Sequence, residues 1–104
     1  MHADIAAKRS DLIALCRQFG VARFEVFGSA ASGNDFDTEH SDADFLVTFA
    51  PETRNDLTVF IDFRDALEAL LGRPVDIVER EAVESSRNHI RRNAILAGAQ
   101  AIHG

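Results

Sequence analysis

Two runs of helical periodicity each end at a glycine, and each is followed within three residues by a short strand-like run. In residues 4–19 the apolar side chains Ile5, Leu12, Leu15, Cys16 and Phe19 recur at three- and four-residue spacing, which predicts a helix. Gly20 stands where a left-handed cap is expected. Residues 23–27 then alternate, with Phe24 and Val26 on one face of a strand that Gly28 and Ser29 break. The second run, residues 56–71, carries Leu57, Phe60, Ile61, Leu67, Leu70 and Leu71 and stops at Gly72; residues 74–78 form a short strand after it. Between the two runs, Ala30 and Ala31 begin a short helix, residues 32–41 form a polar loop, and residues 42–49 form a strand ending at Pro51. Ser85 or Ser86 caps a last helix from Arg87 to about Ala101. Helix, strand, short helix, strand, helix, strand, helix is an α/β order with one small sheet.

At 104 residues this is one domain, residues 1–104. A content of 46% hydrophobic and 27% charged residues excludes a disordered chain. No apolar run is long enough to cross a membrane, and the opening MHADIAAKRS lacks the layout of a signal peptide, so a cytoplasmic location is expected. A single cysteine, Cys16, excludes an internal disulfide and a cysteine metal cage. The net charge of −6 argues against a plain nucleic-acid-binding module, and no direct DNA binding is expected. Ten of the eleven cationic side chains are Arg, the residue suited to bidentate contacts with phosphate or carboxylate.

Asp42 and Asp44 are two apart on a strand, so both carboxylates point to one face. Two such charges suit Mg²⁺, which takes hard oxygen ligands and completes its shell with water and substrate phosphate. Asp-x-Asp by itself says little, since ten Asp produce a second instance at Asp35 and Asp37. Solvated edge acids are the plainer reading of either pair. Asp76 lies between Val75 and Ile77 in a short apolar strand, which a small sheet can bring alongside the Asp42 strand. Three converging carboxylates would form a divalent-metal site able to hold two ions. Gly28 and Ser29 end the first strand where a helix begins, a place where backbone N–H groups attract anions; an ordinary turn with a Ser cap has the same sequence. Arg87 and Arg91 share a helical face and, with Arg92, face solvent, an acidic partner or a phosphate. His40 precedes the acidic strand without ligand spacing, and the Phe residues at 24, 27, 45, 49, 60 and 63 are read as core.

Together, Phe-Gly-Ser-Ala-Ala-Ser-Gly from Phe27, Ser-Asp-Ala-Asp-Phe-Leu-Val from Ser41 and Pro-Val-Asp-Ile-Val from Pro74 resemble the minimal nucleotidyltransferases of the DNA polymerase β-like superfamily. The resemblance covers nearly the whole chain. It implies a small mixed β-sheet packed with helices, the polymerase palm-like fold. It implies that Gly28 and Ser29 hold the phosphates of ATP, and that Asp42, Asp44 and Asp76 bind Mg²⁺ while a hydroxyl attacks the α-phosphorus and pyrophosphate leaves. The chain departs from the family pattern at Ser32, where Arg is common, and in a longer stretch through Asn34 to His40.

Larger members that modify antibiotics carry a second domain for the acceptor, and this chain has none. The resemblance therefore implies an acceptor brought by a partner in a hetero-oligomer: a HEPN-domain toxin, with this chain as the antitoxin that transfers AMP to a toxin tyrosine. The chain contains no Tyr, which excludes self-modification at tyrosine. Two alternatives stand beside this reading. One is the same chemistry on a small molecule or RNA end with a second subunit. The other is an antitoxin that has lost turnover and occludes its toxin.

Overall fold

The computed structural model describes residues 3–28 and 43–104. Helix α1 spans Ala3–Ala7 and α2 spans Arg9–Gln18. The single helix expected over residues 4–19 is thus broken at Lys8, whose φ of −103° and ψ of 13° leave the helical region. Lys8 N–H instead closes a turn on the Ile5 carbonyl at 3.1 Å, and Ile5 is fully buried. Gly20 adopts φ +68°, the left-handed cap the sequence predicts.

Strand β1 is Val21–Phe27, β2 is Ala43–Phe49, β3 is Val75–Glu79 and β4 is Gln100–His103. They form one mixed sheet in the order β3-β2-β1-β4. β1 runs antiparallel to both β2 and β4, whereas β2 and β3 are parallel. Helix α3, Leu57–Leu71, makes that parallel crossover, as parallel neighbours require. It starts one residue later than the sequence predicts and stops, as predicted, at Gly72. The Asp56 carboxylate accepts from Val59 N–H at 3.2 Å, and Gly72 takes φ +68° and donates to the Glu68 carbonyl.

The aromatic core lies on one face of the sheet, under α2 and α3. Phe24 stacks on Phe45 with centroids 4.7 Å apart, and Phe63 of α3 meets Phe24 edge-on at 5.5 Å. Phe19 and Phe49 approach the same ring. Cys16 is fully buried in this core, while Phe27 and Phe60 are only half-buried. Leu57 and Ile61 share the outer side of α3 and are exposed, because Phe63 and Leu67 occupy the inner side.

The opposite face is partly covered by α4, Arg80–Glu84, and α5, His89–Gly98. Here the C-terminal expectation is corrected. Ser85 and Ser86 close α4, donating to the Glu81 and Val83 carbonyls, rather than opening the last helix. Asn88 caps α5, its side chain accepting from Arg91 N–H at 3.1 Å, so Arg87 precedes the helix. Beyond Gly98 the chain turns extended and pairs with β1 as β4, burying Ile102 in the core. No described helix is long and apolar enough to cross a membrane.

Candidate active site

The site residues are positioned by strand pairing. In the antiparallel register of β1 and β2, Phe27 stands opposite Asp44. In the parallel register of β2 and β3, Asp44 stands opposite Asp76. Partners in register project to the same side of a sheet, with strands about 4.8 Å apart. Val75 and Ile77, which flank Asp76, are buried in the core, so Asp76 and its partner Asp44 point to the other face. Asp44 is half-buried and Asp76 is exposed.

The first strand delivers Gly28 to this pair. Its φ is +71°, a conformation that L side chains rarely adopt. A β-carbon on Gly28 would lie 3.1 Å from Asp44 Oδ2, tighter than ordinary contact. The Gly28 backbone is thus held close against a carboxylate. The two remaining site candidates, Ser29 and Asp42, lie outside the described residues, as do His40, Ser32 and the short helix expected at Ala30 and Ala31.

Asp44 and Asp76 suit Mg²⁺ by donor chemistry. That ion keeps several waters and is commonly held by one or two carboxylates together with substrate phosphates. Among the described residues no group of three or more metal-ligating side chains occurs. The third carboxylate expected from the sequence, Asp42, precedes β2 directly.

One charged group on this face escapes sequence reasoning. Glu25 is 3% exposed, and Arg80 Nη1 lies 2.7 Å from both of its carboxylate oxygens. Arg23 Nε approaches one oxygen at 3.1 Å. Glu25 alternates with Phe24 and Val26, the pattern of a solvent-facing strand residue, and no sequence signal brings Arg80 to it. Its pairing with Arg80 ties β1 to the residue that follows β3, across β2.

Cys16 has no part in the site. Burial pushes its thiol up to about 12, so it holds no thiolate near neutral pH.

Residues 12–98 match the family model of the nucleotidyltransferase domain. Over 71 residues, 68% of this chain and 68% of the relative, the sequence is 42% identical to the protein adenylyltransferase MntA of Thermococcus cleftensis. A solved structure assigned as a minimal nucleotidyltransferase superposes with a TM-score of 0.72 at 34% identity, covering 92% of this chain and 90% of that one. A complex of tri-AMPylated Shewanella oneidensis HEPN toxin with MNT antitoxin gives 0.63 at 18% identity, over 95% of this chain and 71% of that one, a likeness of fold.

Proposed function

The chain belongs to the nucleotidyltransferase domain family, and on that premise we propose that it transfers AMP from ATP to a hydroxyl of a partner protein. The acceptor is a tyrosine of a HEPN-domain toxin, and the transfer makes this chain its antitoxin. The observation that carries the reading is the Asp44–Asp76 pair, in register on one face beside Gly28. The protein adenylyltransferase relative supports AMP as the transferred group, and the AMPylated toxin complex supports the acceptor class.

In this reading Asp44 and Asp76, with Asp42, would hold Mg²⁺, which would supply charge neutralisation at the phosphates. Gly28, whose backbone lies against the Asp44 carboxylate, and Ser29 hold the phosphates, and the Ser29 hydroxyl donates to a phosphate oxygen. Asp76, the more exposed carboxylate, faces the acceptor and takes the proton of its hydroxyl. The hydroxyl oxygen bonds to the α-phosphorus as the bond to the bridging oxygen breaks, and pyrophosphate leaves. Positioning and charge complementarity supply most of the acceleration.

The test is transfer from α-labelled ATP to a purified HEPN toxin, read by the mass gain of one AMP. Wild type with Mg²⁺ is expected to modify the toxin. Asp44→Asn and Asp76→Asn are expected to lose at least about 100-fold in rate. Asp76→Asn should also leave stability unchanged or slightly raised, because it removes a like charge opposite Asp44. Undiminished transfer by both variants would refute the reading. Neutralisation of the toxin without transfer would replace it with occlusion.

A further inference from the structure

The C-terminal part of the chain has a charge character of its own. All 17 acidic residues lie at or before Glu84, whereas the last 20 residues carry Arg87, Arg91 and Arg92 and no acid. In a chain of net charge −6, that stretch is net +3. Arg23, Arg54, Arg64 and Arg80 each pair with a carboxylate. Arg87 and Arg91 are exposed and make no ion pair among the described residues. Arg92 is held in place: Nη1 donates to the Ser86 carbonyl at 3.4 Å and Nη2 lies 2.8 Å from His89 Nδ1. At the start of α5, Ile90 is 85% exposed.

A cavity of about 170 Å³ between α4 and α5 is lined by Val78, Ala82, Val83 and Ile95 together with Ser86, Arg91 and Arg92. Val78 follows Asp76 by one side-chain repeat on the same face of β3. The cavity therefore adjoins the carboxylate pair, about 7 Å along the strand. Its four apolar lining residues suit an apolar side chain, and the Arg91 guanidinium at its rim, in no ion pair among the described residues, suits a carboxylate.

We propose that this cavity docks the partner protein that carries the acceptor hydroxyl, taking an apolar anchor from an acidic segment whose carboxylates meet Arg91 and Arg87. The proposal rests on the protein-acceptor reading above and deepens it. An anchor seated over Val78 sets the neighbouring part of the partner beside Asp76. The chain as a whole is negatively charged, so the arginines of the C-terminal stretch set the orientation in which an acidic segment docks.

The test uses the full chain and the HEPN toxin that wild type modifies, with Kd measured by calorimetry at two salt concentrations. Arg91→Glu reverses the charge at the rim, and Ala82→Phe fills the cavity; both positions are exposed. Each variant is expected to weaken toxin binding about tenfold or more, the scale of a buried Arg or anchor contact. Stabilisation by Mg²⁺ and ATP should be unchanged. Added salt should weaken wild-type binding more steeply than that of Arg91→Glu. Binding by both variants within twofold of wild type overturns the proposal. So does a matching loss of ATP-induced stabilisation, which would make the cavity a phosphate site. Absence of any transfer or binding by wild type is a different result, because it removes the protein-acceptor reading itself.

Discussion

Gly28 and Asp44 approach so closely that a β-carbon on the glycine would come 3.1 Å from Asp44 Oδ2. Two independent demands therefore fall on one position. The φ of +71° disfavours any L side chain, and the carboxylate leaves little room for one. Gly28→Ala is expected to cost about 1–2 kcal/mol from the backbone alone. For a domain of this length that lowers the thermal midpoint by roughly 5–15 °C. The same methyl group pushes on Asp44, so the variant should also lose most of the stabilisation that the proposed function expects Mg²⁺ and ATP to give wild type. Thermal unfolding with and without these ligands separates the two effects. A variant that unfolds earlier yet keeps the full ligand-induced rise would show that Gly28 serves the backbone only.

Cys16 gives the fold a pH dependence whose sign follows from its burial. Its thiol is pushed up to about 12 in the native state, against 9.0 for the ordinary value. Between those values the unfolded chain loses the proton and the folded chain keeps it. The contribution is fully present below pH 9 and declines as pH rises toward 12, by up to about 1.4 kcal/mol per unit. Urea unfolding from pH 8 to 11 should show this slope in wild type, and a shallower one in Cys16→Ala. The thiol should also resist a disulfide reagent at pH 8 until urea unfolds the chain. Rapid labelling of the native protein would contradict the buried placement.

How much of this was legible in the sequence differs from residue to residue. The ends of α3 were, because Asp56 and Gly72 act through local hydrogen bonds and backbone conformation. So was the adjacency of the Asp76 strand to the Asp44 strand. That the two acids stand in register was not, since spacing along the chain does not fix the pairing of strands joined by a helix. β4 was missed for an energetic reason. Ala99 and Ala101 favour helix locally, but pairing with the open edge of β1 and burial of Ile102 outweigh that preference. Ser85 and Ser86 have the chemistry of N-caps, yet a short helix before them takes up their N–H groups. Glu25 was hidden for the same kind of reason, because only the tertiary placement of the C-terminal helices and of Arg80 turns a solvent-patterned strand residue into a buried one.

The Glu25–Arg80 pair supplies the sharpest test of how the site face is held together. The Glu25 side chain is 4% exposed, and Arg80 supplies a contact to both of its oxygens at 2.7 Å. Arg80→Leu leaves a buried carboxylate with only the half-exposed Arg23, and should cost about 3–5 kcal/mol. The loss of the Arg80–Glu84 contact adds little, since Glu84 is 53% exposed. Glu25→Leu combined with Arg80→Leu removes the orphaned charge along with its partner, and stability should recover most of the way to wild type. Urea unfolding of the four proteins in a double-mutant cycle measures the coupling. A strong positive coupling identifies the pair as a brace that spans β2 from β1 to the end of β3. If Arg80→Leu costs less than about 1 kcal/mol, or the double variant is less stable than either single one, the face is held by the packing of Leu46 and Val83 rather than by the ion pair.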